Sequence, residues 1–155
     1  MDANDSATAA LESYILENIP LAGAMGLKVR RYAGDSLEMT APLAPNTNDK
    51  GCAFGGSMAS LLTLAGWGLI ELGLQAQGLA CDIYVGDSQL RYREPVWSEL
   101  RGVARFAEPH ALENLLVALK ERGKGRADVV CEIAGGTGPA AVLTARFVAK
   151  LRQGP

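Results

Sequence analysis

Between Lys50 and Glu71 the chain carries no charged side chain, and no other feature restricts its fold so sharply. A helix drawn through residues 55 to 74 is apolar nearly all the way round rather than along one stripe, the pattern of a helix enclosed on every side. Its length meets the criterion for a membrane span, but its composition does not. Gly51, Gly55, Gly56, Gly66 and Gly68 alternate with Ser57, Ser60 and Thr63, and basic or aromatic anchors are missing at both ends. The reading is a helix buried in protein. At about 1.5 Å per residue it would run roughly 25–30 Å, enough to cross a small domain, so a sheet has to wrap it. Gly66 and Gly68 cost helix propensity, which predicts close packing against a neighbouring backbone.

The flanking segments supply that sheet. Thr8 to Asn18 reads as a short amphipathic helix ended by Pro20, with a turn from Leu21 to Gly26 after it. Leu27–Tyr32 and Ser36–Thr40 read as a hairpin, and Pro42 and Pro45 bracket an irregular loop leading into Phe54-Gly55-Gly56-Ser57. Strands follow at Ala80–Arg93, Glu99–Phe106, Ala127–Ala134 and Ala140–Leu151, with an amphipathic helix carrying Leu112, Leu115, Leu116 and Leu119 between the second and third of them. In the last strand Ala141, Leu143, Ala145, Phe147 and Ala149 alternate with polar residues, the period of a strand with one buried face. In Ala80–Arg93 the parity changes: Ile83 and Val85 share one face, Leu90 and Tyr92 the other, which predicts a bulge around Gly86-Asp87-Ser88. The architecture is α+β, an antiparallel sheet around one long central helix, in a single domain spanning residues 1–155.

Composition removes several functions. With 15 Lys plus Arg against 17 Asp plus Glu, a net charge of −2 and no cationic stripe, nucleic acid is not an expected partner. Cys52, Cys81 and Cys131 are odd in number and widely spaced, which fits neither a disulfide framework nor a metal site. No metal and no separate cofactor are expected. The acidic N-terminus lacks a basic region followed by an apolar run, so the expectation is a cytoplasmic protein without an export segment and without a membrane span.

The segment NDKGCAFGGSMASLLTLAGWGLIELGL at 48–74, together with GDSQLRYREPV at 86–96, resembles the thioesterase domain found at the carboxy terminus of YiiD-type acetyltransferases. More distantly it is similar to the phenylacetate-type hotdog thioesterases. The likeness runs from about residue 10 to 150. It implies a hotdog fold, the thioesterase-like domain without an acetyltransferase domain in front, and hydrolysis of acyl thioesters of coenzyme A or an acyl carrier protein, the carrier being part of the substrate. Asn48 matches the asparagine before the Gly-Gly pair of the phenylacetate-type enzymes, and Gly55-Gly56 match the pair that opens their central helix. Phe54 stands where many have histidine, and Thr63 where they have the acidic residue.

The residues themselves allow this chemistry. A helix N-terminus offers unpaired N–H groups and partial positive charge, so Gly55 and Gly56 could form an oxyanion hole; alternatively the pair only permits a tight start to the helix. Ser57, Ser60, Thr63 and Trp67 fall on one side of the helix and could line a pocket, or the hydroxyls could bond back to carbonyls one turn earlier. Asp87, in an otherwise apolar strand, is the candidate general base or nucleophile, from the same or the adjacent subunit; as a plain alternative it caps the bulge. Asn48 or Thr63 would orient water or carbonyl. Phe54, Gly56, Ser57, Ser60, Ser88 and Arg91 complete the substrate-binding set, with Arg91 and Arg93 facing coenzyme phosphates or a solvated strand edge. His110, the lone histidine, falls at a helix start, a surface position, and Cys52 has no histidine to form a dyad. Two other readings stand beside hydrolysis: a non-catalytic acyl-thioester binding module, and a hotdog domain kept for interaction or assembly. Open strand edges predict a homodimer or a dimer of dimers.

Overall fold

The structure, a computed structural model, describes residues 2–153. Helix α1 spans Ala3–Asn18 and starts five residues before the helix expected from Thr8, because the Asp2 carboxylate caps it, accepting the Asp5 N–H at 2.8 Å. The segment read as a turn is a short helix, α2, Pro20–Met25. Proline at its first position presets φ, and Gly26, at φ 70°, closes it in the left-handed conformation.

Six strands follow: β1 (Lys28–Tyr32), β2 (Ser36–Ala41), β3 (Cys81–Tyr92), β4 (Leu100–Phe106), β5 (Lys124–Ala134) and β6 (Pro139–Leu151). They form one antiparallel sheet in the order β1-β2-β4-β5-β6-β3. Helix α3, Gly55–Gln75, lies in its concave face, and α4, Ala111–Arg122, fills the space beside its far end through Leu115 and Leu119. Among the described residues, the one helix long and apolar enough to cross a membrane is therefore mostly buried inside the domain.

The α3 contact explains the mid-helix glycines. A Cβ on Gly66 would lie 3.0 Å from both Phe147 and Val129, and one on Gly68 would lie 2.8 Å from Leu37 and 2.9 Å from Met39. The close partners are inward side chains of the sheet, not a neighbouring backbone as expected. From the other side Gly102 of β4 makes room for Leu61 and Leu62. Leu61, Leu62, Leu69 and Ile70 are fully buried in one continuous core, each contributing roughly 1.5–3 kcal/mol of transfer free energy.

The bulge expected in β3 is present, with the β3–β6 register shifting between Val85 and Asp87 so that Gly86 is the extra residue. Ile83 and Val85 oppose Ala149 and Phe147 on the inner face. Beyond the bulge Ser88 and Leu90 take that face opposite Ala145 and Leu143, while Asp87, Gln89 and Arg91 oppose Arg146, Thr144 and Val142 on the outer one. One residue of slip exchanges the two faces of the strand.

Candidate active site

The loop before α3 is tied down by its own polar groups. Asn46 is buried; its Nδ2 donates to the Met25 carbonyl at 2.9 Å and to the Pro42 carbonyl at 2.7 Å, while its backbone carbonyl accepts the Phe54 N–H at 2.7 Å. Asn48 organises the next turn, its Oδ1 accepting the Lys50 N–H at 2.8 Å and its Nδ2 donating to the Cys52 sulfur at 3.2 Å. Gly51 takes φ 90°, which suits only glycine here. Ala53 N–H then bonds the Val96 carbonyl at 2.8 Å, delivering the chain to α3 at a defined angle.

Phe54 occupies the N-cap of α3 and has no side-chain acceptor to offer. Among the described residues no acceptor meets the N–H groups of Gly55, Gly56 or Ser57. A helix of 21 residues thus ends in open amides with the positive end of its dipole behind them. They face a cleft of about 480 Å³ lined by Asn48, Cys52, Ala53, Gly55, Gly56, Met58, Tyr92, Arg93, Glu94 and Pro95. Two rings flank the amides. A Cβ on Gly56 would clash with the Phe54 ring, and a Cβ on Gly55 would fall 3.3 Å from the ring and hydroxyl of Tyr92. The Tyr92 hydroxyl donates to the Gly55 carbonyl at 2.9 Å. Glycine at 55 and 56 is what lets the rings approach.

Glu94 is among the residues lining this cleft. It accepts the Thr137 hydroxyl at 2.9 Å and the Gly136 N–H, and these bonds hold its carboxyl below the ordinary range. The turn that donates them is Gly135 to Gly138, which joins β5 to β6.

Of the residues singled out in the sequence, the fold brings Asn48, Gly55 and Gly56 together and sets Phe54 beside them. Ser57, Ser60, Thr63 and Trp67 do share one half-buried side of α3, but none lines the cleft. The Ser60 hydroxyl donates to the Gly56 carbonyl at 2.9 Å and the Thr63 hydroxyl to the Ala59 carbonyl at 2.8 Å, the bond-back arrangement. Trp67 stacks on Tyr14 of α1 at 6.2 Å. Thr63 is therefore corrected from a group that orients water to one that bonds within its helix.

Asp87 needs the larger correction. The bulge turns it to the outer face, into a separate depression with Asp128, Thr144 and Arg146 that shares no residue with the cleft. Arg91 lies on the same outer parity, and the cation at the cleft is Arg93. Ser88 has the inner parity but is exposed at the sheet edge. His110 is the exposed N-cap of α4, 3.9 Å from Glu113. Tyr92 and Glu94 were missed because nothing local marks them. The signal was tertiary: the end of an edge strand returning to a helix start.

A sheet curled around one apolar helix, with that helix's open amides at the floor of a cleft, defines the hotdog-fold thioesterase class. The similarities agree. Over 96% of this chain and 97% of the other, the fold matches a protein of unknown function from Chlorobaculum tepidum with a TM-score of 0.90 and 28% identity. A putative thioesterase from Shewanella oneidensis matches with a TM-score of 0.84 and 25% identity, over 94% of this chain and 99% of the other. In fold alone, a putative thioesterase, a phenylacetic acid degradation-related protein from Ralstonia eutropha, matches at 23% identity and a TM-score of 0.62, over 88% of this chain and 97% of the other. The family described as "Putative thioesterase (yiiD_Cterm)" matches residues 8–151, and the chain belongs to that family.

Proposed function

We propose that the protein hydrolyses acyl thioesters whose leaving group is coenzyme A or the phosphopantetheine arm of an acyl carrier protein. The observation behind this reading is the uncapped N-terminus of α3, whose Gly55 and Gly56 amides open into the cleft between two aromatic rings. A thioester carbonyl seated there develops its negative charge against preorganised donors, often the largest single contribution to acyl-transfer catalysis. Water is the attacking group. Glu94, ionised through the neutral range, takes the proton from it in place of Asp87. A thiol with a pKa near roughly 8.5 leaves as thiolate without a strong general acid. Arg93 lies at the cleft to meet phosphate.

Two copies would complete the site. The free edge of β3 has unpaired backbone groups, and Tyr84 and Val85 are exposed along it. Pairing these edges antiparallel extends the sheet and lets Ser88, on the inner parity, face the neighbour's cleft. The three buried, free cysteines fit a reducing cytoplasm.

Thiol release from a panel of acyl-coenzyme A and acyl-carrier substrates tests the proposal. Turnover that falls by orders of magnitude in Glu94→Gln, with the far-UV spectrum retained, supports it. Binding of substrates without thiol release at any chain length would make the chain a binding module. Absence of both would leave an assembly role.

A further inference from the structure

We infer that Tyr92 is a positioning residue that strengthens the Gly56 amide as oxyanion donor by hydrogen-bonding the carbonyl of the same peptide group. This deepens the proposed hydrolysis and rests on it. The Tyr92 hydroxyl donates to the Gly55 carbonyl at 2.9 Å. That carbonyl and the Gly56 N–H belong to one conjugated unit, in which density drawn to oxygen is lost from nitrogen. A donor on the oxygen therefore polarises the N–H, by an amount that cooperative hydrogen-bond estimates put at roughly 10–30% per bond. It also fixes the peptide plane, and hence the direction in which the Gly56 N–H points.

Three further observations agree. The Gly56 N–H has no acceptor of its own among the described residues, so the polarised donor is free. The Tyr92 ring lies close enough to Gly55 that a Cβ would meet it at 3.3 Å, and the Phe54 ring lies against Gly56, so two rings flank the peptide group and restrict its rotation. Tyr92 is itself held from behind: its strand partner is Ala141, and the next residue, Arg93, bonds the Ala140 carbonyl at 2.7 Å. The hydroxyl is thus aimed by the β3–β6 pairing, and β3 acts on a helix start 37 positions earlier in the chain.

A merely structural staple between β3 and α3 would make the same contact, so the test must separate the two. Tyr92→Phe keeps the ring and removes the donor; kcat should fall roughly three- to tenfold with KM within about twofold. Replacement of Tyr92 by mono- and difluorotyrosine, assayed below the phenol pKa, keeps both ring and bond while raising donor acidity. A graded rise of kcat with acidity supports the inference. A flat or falling series, or an unchanged kcat in Tyr92→Phe, overturns it while leaving hydrolysis intact. Absence of thiol release by the unaltered protein on every thioester would overturn hydrolysis and this inference together.

Discussion

The replacement Gly66→Ala adds one methyl group to the middle of α3 and tests whether helix and sheet are in close contact. On propensity alone it should stabilise the helix by about 1 kcal/mol. The structure opposes that gain. The new Cβ would lie 3.0 Å from Phe147, 3.0 Å from Val129 and 3.3 Å from Cys131. All three are buried with at most 2% exposure, so none can swing into solvent, and each must give by a few tenths of an ångström. Overpacking of this kind costs about 1–3 kcal/mol. Subtracting the propensity gain leaves a net loss of roughly 0–2 kcal/mol, and for a chain of this size a lowering of Tm by up to about 8 °C. Gly23→Ala is the control: nothing lies within 4 Å of its Cβ, so propensity acts alone and should add roughly 0.5–1 kcal/mol. Thermal and urea unfolding of both variants decide the matter. Gly66→Ala gaining as much stability as Gly23→Ala would refute the claim that the sheet closes on α3.

Asp87→Asn should leave turnover within about twofold, since Asp87 faces outward beside Arg146 rather than into the cleft; a loss of orders of magnitude in steady-state assays would return it to the mechanism. Burial pushes the Cys131 thiol up to about 12, so about one molecule in ten thousand is thiolate at pH 8, and native-state alkylation read by mass spectrometry should leave it unmodified. Asp128 accepts both Nε and Nη2 of Arg146, at 2.8 and 3.0 Å, and this pairing lowers its pKa below the ordinary 3.8. The sign follows: its contribution is present above the unfolded pKa and disappears as pH falls through the lower folded value. The pair is half-exposed, so Asp128→Asn should cost under about 1 kcal/mol at neutral pH. Urea midpoints of the two proteins should converge as pH falls through the lowered Asp128 pKa; a gap that widens in acid contradicts the pairing.

Sequence alone determined the elements and their faces, because period and composition are local quantities. A charge-free run that is apolar all round can only be an enclosed helix, and strict alternation in β6 assigns its inner side chains. The parity change across Gly86 announced the bulge before any strand partner was known. The NDKGCAFGGS string also marked out Asn48, Gly55 and Gly56, which one turn and one helix start hold together. Two local features were misread: the Asp2 cap lies outside the periodic stretch, and Pro20 opens a helix as readily as it ends one.

Only the tertiary structure decided which acidic, basic and aromatic residues line the cleft. A bulge says that a strand changes face but not which face is turned to the helix, so Asp87 and Arg91 could not be told from Glu94 and Arg93 by pattern. That choice is made by the strand order, which sets β3 at the edge against β6 and carries its end back to the start of α3. Contacts between residues far apart in the chain depend on packing shared by the whole sheet, and no local stretch of sequence contains them.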